Sequence, residues 1–147
     1  MFRSVRLKSI RLTILSLIGV LLFAAICLVA LRGGSSDSIG IDGEKIPLYA
    51  KEEADVEAFL TACGYDDPEF LFSHEITVPK NWNDTYIQYN DLQKEQGFDL
   101  APYKGKAAVE YVYFVDETLN ATVLVSGNRI IAAHICSIDG GEMKIIR

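Results

Sequence analysis

The sequence predicts an α+β domain in which two helices pack on an antiparallel sheet of about four strands, preceded by a single N-terminal transmembrane helix. Three observations indicate this fold class. Residues 12–31 carry no charge, two later segments have apolar residues at helical spacing, and the last third alternates as β-strands do. We therefore divide the chain into a cytoplasmic basic segment (1–11), a transmembrane helix (12–31), a linker (32–48) and an extracytoplasmic α+β domain (49–147).

The uncharged run LTILSLIGVLLFAAICLVAL, residues 12–31, has the length of a membrane span. At about 1.5 Å of rise per residue, a helix of this length covers roughly 30 Å, the thickness of the hydrocarbon core of a bilayer. Residues 1–11 hold four cations, whereas Arg32 alone closes the run, so the positive-inside rule predicts a cytoplasmic N-terminus. We expect a single-pass protein of the cell membrane whose C-terminal domain is extracytoplasmic.

A cleaved signal peptide and a lipoprotein are the two alternatives to an uncleaved anchor. The segment LRGGSSDS after the apolar run offers a poor cleavage site, because the small residues Ala24, Ala25 and Ala30 lie inside the run. A lipoprotein would have a small residue before its cysteine, but Ile26 precedes Cys27. Both patterns favour the uncleaved anchor.

Charge divides sharply at the anchor. Residues 1–11 hold four of the 14 Lys and Arg and no acid, while the remainder has ten Lys and Arg against twenty Asp and Glu, a net charge of −10. An acidic domain repels phosphate backbones, so we expect no nucleic-acid partner. The acidic surface is either a well-solvated face or one that takes cations or a basic partner.

The first part of the domain predicts a linker and then a helix. GGSSDSIGIDGEK, Gly33 to about Lys45, has the composition of a linker. KEEADVEAFLTACG has acids in its first turn, where the helix dipole favours them, and Gly64 as a left-handed cap. The apolar residues of this segment recur at the spacing i, i+3, i+4, i+7, which predicts one apolar stripe of an amphipathic helix: Val56, Phe59, Leu60 and Cys63.

A strand and a second helix follow. FLFSHEITVP predicts a strand because alternate residues are mostly apolar, which assigns one face to Phe70, Phe72, His74, Ile76 and Val78. We expect the helix to start near Asn83, a capping residue type, and to end at Gly97, with Phe98 folding back onto Leu92. The turn DLAPYKGK then leads into the strand AAVEYVYFVD.

The last third predicts a β-hairpin. In ATVLVSGNRIIAAHICSI the pair Gly127-Asn128 is a strong two-residue turn signal. Counting outward from this turn pairs residues that share one face: Val125 with Ile130, Val123 with Ala132, Ala121 with His134 and Leu119 with Cys136. Both faces of the hairpin are apolar, so we expect it to be central or covered.

Cysteine and histidine are the residues that raise a catalytic alternative. Cys63 and Cys136 lie outside the span at core-facing positions, and they either pair as a disulfide or remain buried thiols. His134 and Cys136 form H-x-C on one strand, which would suit a nucleophile with its base or the start of a zinc site. No CxxC or HxxxH supplies further ligands, so we expect no metal, no cofactor and no catalytic residue.

Tyrosines near the second helix are the best candidates for binding. Tyrosine combines apolar area with a polar tip, so grouped tyrosines build either a binding groove or the rim of a small core. Two glutamines of the same segment share this region. The candidate binding residues are Tyr86, Tyr89, Gln93, Gln96 and Tyr103.

Several blocks of the chain, covering roughly residues 50–141, resemble an uncharacterised bacterial family known only as a domain of unknown function. The blocks are AFLTACGY, EITVP, YIQYNDLQKEQGFDLAPYKGK, VEYVYFV and VLVSGNRIIAAHICS…DGG. The resemblance implies a membrane-anchored or exported α+β domain and carries no catalytic residues. The chain departs from the family at Tyr65, where a Trp is expected, and in the ending EMKIIR.

The sequence as a whole predicts a non-enzymatic, extracytoplasmic binding or interaction domain held at the membrane by one helix. Its partner would be an envelope protein, a peptide or a small ligand. The alternative is an extracytoplasmic enzyme that uses His134 with Cys136, or a pair of carboxylates. A structural partner of another membrane protein, contacted through the span, is a third reading.

Overall fold

The structure, a computed structural model, describes residues 37–146. The predicted basic segment, the predicted span 12–31 and Cys27 lie outside these residues. Among residues 37–146, no helix is long and apolar enough to cross a membrane.

The described residues form two helices and six strands, so the α+β class is confirmed. The predicted single sheet of about four strands is incomplete: β3-β4-β5-β6 form one antiparallel sheet, and β1-β2 form a second. The elements in chain order are β1 Ser38–Ile41, β2 Glu44–Pro47, α1 Glu53–Ala62, β3 Glu69–Thr77, α2 Asp84–Glu95, a 3₁₀ turn Ala101–Tyr103, β4 Ala107–Asp116, β5 Leu119–Ser126 and β6 Arg129–Ser137.

The hairpin of β1 and β2 replaces most of the predicted linker 32–48. Ile39 pairs with Ile46, and both side chains are buried. The turn uses Asp42 and Gly43, each at positive φ, as hairpin turns of two residues require. The linker prediction is wrong over this stretch because its few isoleucines alternate on one side, where they reach the core despite the polar composition around them.

The helix α1 forms as the apolar stripe predicts. Val56, Phe59 and Leu60 are buried, and Gly64 follows the helix at φ +97°. The Asp55 carboxylate accepts the backbone N–H groups of Lys51 at 2.8 Å and Glu52 at 3.0 Å. These bonds lower the pKa of Asp55 and satisfy amides that the helix itself leaves unpaired.

The ends of α2 also match the prediction. The side chain of Asn83 accepts the backbone N–H of Tyr86 at 2.9 Å, which caps the first turn. Gly97 has φ +97°, and the next residue, Phe98, donates its N–H to the carbonyl of Gln93 at 3.0 Å. Phe98 is buried.

The four-stranded sheet separates two hydrophobic cores. Its first face packs against α1 and the β1-β2 hairpin, and its second face packs against α2 and the segments on either side of it. The first core includes Ile39, Ile46, Leu48, Val56, Phe59, Leu60, Cys63, Phe98, Tyr113, Val123, Ile130, Ala133, Ile135 and Ile146. The second includes Val78, Leu100, Ala108, Leu124, Ile131 and Ala132, with Ile76, Trp82, Tyr86, Tyr89 and Tyr103 packed against them.

A β-bulge in β3 divides the residues that were predicted to share one face. Phe70 pairs with Tyr113 and Phe72 pairs with Val112, so Leu71 is the extra residue. Phe70 therefore packs on the first core, edge-on to Tyr113 with ring centroids 5.6 Å apart. The face prediction is wrong for Phe70, because the alternation restarts after the bulge.

A second bulge lies in β6, where Ile131 is the extra residue between the pairs Val125–Ile130 and Leu124–Ala132, and it changes the predicted register of the last hairpin. The turn forms at Gly127 and Asn128 as predicted, and Val125 faces Ile130. Beyond the bulge every predicted pair is wrong by one residue, which moves partners to the other face. The observed pairs are Leu124 with Ala132, Val123 with Ala133, Thr122 with His134, Ala121 with Ile135, Asn120 with Cys136 and Leu119 with Ser137.

Candidate functional site

The two glutamines proposed for binding are buried and bonded inside the protein. Gln93 accepts the backbone N–H of Ala133 through Oε1 at 3.0 Å. Gln96 donates Nε2 to the carbonyl of Ala133 at 2.6 Å and to Gln93 Oε1 at 3.1 Å, and its own oxygen accepts the N–H of Ile146 at 2.9 Å. A ligand at the surface cannot reach these amides, so the binding prediction for Gln93 and Gln96 is wrong.

The buried glutamines form hydrogen bonds with backbone groups at the outer edge of β6. The backbone N–H and C=O of Ala133 point away from β5 and would be unpaired without the two side chains. Ile130 donates its N–H to Leu48 at 2.8 Å, and Ile135 exchanges two backbone bonds with Lys144, at 3.0 and 2.9 Å. The outer edge of β6 is thus covered along its length by other parts of the chain.

Asn90 extends the buried amides of α2 by one more residue. Its Oδ1 accepts the N–H of Leu100 at 2.7 Å, and its Nδ2 donates to Asp99 at 3.2 Å. Asn90, Gln93 and Gln96 recur at every third residue, which places polar side chains on the inner side of the helix. That spacing was the available signal in the sequence for amides that bind backbone rather than a ligand.

The predicted tyrosines lie at the rim of the second core. Tyr86 and Tyr89 are neighbours at 5.8 Å between ring centroids, and Trp82 lies 5.4 Å from Tyr86. Tyr103 is also packed on this core, and the ammonium group of Lys106 lies 5.1 Å from its ring. The structure therefore places Tyr86 and Tyr89 side by side, and their side chains are packed and partly buried.

His134 is held in its neutral form beneath these tyrosines. Its Nδ1 shares a hydrogen bond of 3.1 Å with the hydroxyl of Tyr89, and only 6% of the residue is exposed. Burial lowers the pKa of His134 to about 4, because the imidazolium would lose its hydration. Burial, with smaller contributions from Tyr86 and Glu110, raises the pKa of Tyr89.

The two cysteines of the domain are free thiols on opposite faces of the sheet. Cys63 lies in the first core, and burial raises its pKa to about 12. Cys136 is half-buried and faces the second side, two residues from His134. The disulfide is thereby excluded and the unpaired alternative holds. Within residues 37–146, no group of three or more His, Cys, Asp and Glu side chains is placed to hold a metal ion.

The outer edge of β3 is the most exposed part of the sheet. Among the described residues, β3 pairs only with β4, and seven of its nine residues are exposed. Leu71 and Phe72 are 43% and 51% exposed, an unusual state for large apolar side chains that follow one another in a strand. We name the outer edge of β3, with these two side chains, the open edge.

Three residues of the open edge direct their backbone groups outward. Val78 donates its N–H to Lys106 on the β4 side at 3.0 Å. In an antiparallel ladder this orientation alternates, so Ile76, His74 and Phe72 also bond β4. The N–H and C=O groups that point away from β4 are those of Ser73, Glu75 and Thr77, and none bonds another described residue.

The side chains around the open edge are acidic and aromatic. His74 Nε2 lies 3.0 Å from Glu110 Oε2, and its ring stacks on Phe72 with centroids 5.9 Å apart. An open groove of about 650 Å³ adjoins the first residue of β3. Its lining residues are Ala54, Glu57, Ala58, Thr61, Asp66, Asp67, Pro68 and Glu69, and we name it the acidic groove.

The open edge was missed in the sequence, although the run Phe70-Leu71-Phe72 contained a signal for it. Three consecutive apolar residues cannot all face the core in a strand, because neighbours point to opposite sides. Either the strand is covered on both faces or an apolar side chain is left in solvent. The structure shows the second case.

Comparison with known proteins identifies a family whose model covers the central part of this domain. A family model described as "Domain of unknown function (DUF4830)" matches residues 59–135, from α1 to β6, which include β3 and α2. No curated protein and no solved structure matches the chain.

Proposed function

Since the chain belongs to the DUF4830 family, a domain of unknown function, we propose from its geometry that it is a non-enzymatic interaction domain. Its partner is a protein that adds an extended segment to the open edge. The sheet grows by one strand, and the partner's backbone bonds the outward groups of Ser73, Glu75 and Thr77.

The observation that carries this proposal is the difference between the two outer edges of one sheet. The edge at β6 is covered by Leu48, Lys144 and the glutamine side chains that bond Ala133. The edge at β3 has no such cover within residues 37–146. Proteins generally protect their sheet edges, so a long edge with exposed apolar side chains supports a binding role.

The energetics require the apolar side chains as well as the backbone. Six backbone hydrogen bonds, at about 0.5–1.5 kcal/mol each, contribute about 3–9 kcal/mol. Association alone costs about 4–15 kcal/mol, so the backbone bonds do not suffice for a stable complex. Covering Leu71 and Phe72, which are now about half exposed, supplies the additional apolar burial.

The membrane anchor is part of the same proposal. The uncharged run 12–31 with its preceding cations supports a single-pass protein whose domain lies outside the cytoplasm. A cysteine introduced as Ser35→Cys in a chain that also carries Cys27→Ser and Cys136→Ser tests this topology, because the remaining Cys63 is buried. A membrane-impermeant maleimide should label it in intact cells, and labelling only after lysis would reverse the orientation.

Site-specific crosslinking tests the open edge in the full-length chain. Benzoylphenylalanine replaces Phe72 in one chain and Ile138, exposed beyond the end of β6, in a control chain. Irradiated cells should give a discrete adduct from position 72 only. Ser73→Pro should remove the adduct, because proline has no N–H to donate, whereas Ser73→Ala should retain it.

The proline variant is informative because Ser73 directs its N–H away from β4, so the existing ladder stays bonded. Its melting temperature should remain close to that of Ser73→Ala. If Ser73→Pro does not fold, Thr77→Pro removes another outward N–H at the last residue of β3. An adduct that survives a folded proline variant, or that forms equally at position 138, refutes strand addition.

A further inference from the structure

We propose that the segment received by the open edge runs antiparallel to β3 and carries lysine or arginine at its C-terminal end, which occupies the acidic groove. Apolar residues of the same segment cover Leu71 and Phe72. This inference rests on the proposed function, because it specifies the occupant of the same edge.

Charge in the acidic groove selects a basic occupant. Four of its eight lining residues are acids and none is basic. Asp66, Asp67 and Glu69 are exposed and Glu57 is half-buried, so the carboxylates are accessible to a partner. Cationic side chains placed among them would be attracted by several carboxylates at once, which favours a basic segment over a neutral or acidic one.

The position of the groove determines which end of the segment is basic. Glu69 both lines the groove and begins β3. Every strand pair in the structure is antiparallel, and antiparallel pairing is slightly more stable per residue than parallel pairing. An antiparallel segment beside β3 ends near Glu69, so its C-terminal residues enter the groove.

A second copy of the domain is a poor occupant of the same edge. Two β3 strands paired about Phe72 would place Glu69 of one copy opposite Glu75 of the other, and like charges opposite each other are destabilising. The bulge at Leu71 also interrupts the regular register that self-pairing needs. Both features disfavour a second copy paired in this register relative to a basic segment.

Synthetic peptides of about eight residues, an ordinary strand length, provide the probes. One alternates valine and threonine and ends in a lysine pair at its C-terminus. A second has the lysine pair at its N-terminus, and a third replaces the lysines with glutamates. Binding of each fluorescent peptide to the full-length chain in detergent micelles is measured by anisotropy.

The C-terminal lysine peptide should bind about tenfold more tightly than the glutamate peptide, and more tightly than the N-terminal lysine peptide. Raising the salt from about 0.05 M to about 0.5 M should reduce this preference. The double variant Asp66→Asn/Asp67→Asn should weaken binding of the C-terminal lysine peptide. It should not weaken binding of the glutamate peptide. Asparagine suits position 67 because that residue has φ +50°.

The outcomes separate this inference from the proposed function. If all three peptides bind the wild-type chain equally and none binds the Ser73→Pro variant, strand addition is retained. The proposal that the segment has a basic C-terminal end is then wrong. Tighter binding of the N-terminal lysine peptide would also overturn it. No binding of any peptide, or binding unaffected by Ser73→Pro, would contradict both proposals. A homodimer in sedimentation that Ser73→Pro abolishes would identify a second copy as the occupant and overturn this inference.

Discussion

Gln96 donates its side-chain Nε2 to the backbone carbonyl of Ala133 at 2.6 Å, and with Gln93 it completes the hydrogen bonds that another strand would make there. The side chains of a helix thereby close the outer edge of β6. The same sheet ends on its other side at β3, where Ser73, Glu75 and Thr77 direct outward backbone groups that bond no other residue of 37–146. Among the described residues, the fold covers one edge of the sheet and leaves the other open.

Gln96→Met should destabilise the domain by about 2–6 kcal/mol. Methionine keeps the approximate volume but leaves the carbonyl of Ala133 and the N–H of Ile146 buried without partners, at about 1–3 kcal/mol each. Urea denaturation of the full-length chain, followed by circular dichroism, measures the loss. Gln88→Met, at an exposed position of the same helix, is the matched control and should change stability by less than about 0.5 kcal/mol.

Gln93→Met provides a second comparison on the same helix. Nε2 of Gln93 is buried and has no hydrogen-bond partner among the described residues, so methionine removes that unfavourable group while it also removes the acceptor of Ala133. We expect Gln93→Met to lower the free energy of unfolding by less than Gln96→Met does. Both polar side-chain atoms of Gln96 are hydrogen-bonded, whereas Nε2 of Gln93 is not. Equal losses of stability in Gln93→Met and Gln96→Met would contradict the role assigned to Gln96 in covering the edge of β6. A loss in Gln88→Met as large as in Gln96→Met would contradict it too.

Stability should fall as the pH decreases from about 6.5 to about 4, because of His134. Burial lowers its folded-state pKa from the ordinary 6.5 to about 4. The unfolded chain therefore binds the proton first, and the full stability, present above pH 6.5, is progressively lost as the pH falls. The shift corresponds to a loss of about 3 kcal/mol, measurable by urea denaturation across this range.

His134→Gln should flatten this pH dependence, since glutamine does not titrate, even though it lowers stability at pH 7. The chain's other histidine, His74, is about half exposed, so His74→Gln is the matched control and should retain the wild-type slope. A slope that persists in His134→Gln would show that other groups cause the acid sensitivity.

Gly43→Ala should destabilise the hairpin of β1 and β2 by about 1 kcal/mol. A Cβ at Gly43 meets no atom within 4 Å, so the cost comes from the backbone, which has φ +86°. Gly40→Ala, in the strand before the turn, also meets open space and lacks a positive φ, so it should be neutral or slightly stabilising. Thermal melting compares the two variants, and equal effects would contradict the turn conformation.

Local signals in the sequence predicted the helices well, and they failed where the chain deviates from simple periodicity. Helix capping depends on residues that are close in the chain, so the sequence predicts the capping roles of Asn83, Gly64 and Gly97 directly. The bulges at Leu71 and Ile131 depend on how strands meet in three dimensions, and each reversed the faces predicted beyond it.

The candidate site was mispredicted because residue type does not reveal what a polar side chain bonds. Gln93 and Gln96 looked available for a ligand, yet they bond the backbone of a strand 37 to 40 residues away. The open edge, in contrast, depends on which strand has no neighbour, a property of the sheet order. Such long-range relations cannot be derived from the spacing of residues along one segment.

Cys136 should react with thiol reagents at least about 100-fold faster than Cys63. Burial raises the pKa of Cys63 from its ordinary 9.0 to about 12, which leaves little of the reactive thiolate at neutral pH. Cys136 is half-buried at the end of β6 and adjoins an opening of about 270 Å³. Stopped-flow measurement with a chromogenic disulfide, in a Cys27→Ser chain, should show one fast phase that Cys136→Ser abolishes.

The same chain should form no intramolecular disulfide under mild oxidation. The two cysteines face opposite sides of the sheet, with strand backbone between them, whereas a disulfide needs Cα atoms within about 7 Å and side chains directed at each other. Peptide mass spectrometry after blocking free thiols should find both Cys63 and Cys136 modified. A Cys63–Cys136 crosslink would require a different register for β6, and would therefore also contradict the bulge at Ile131 that directs Cys136 to the second face.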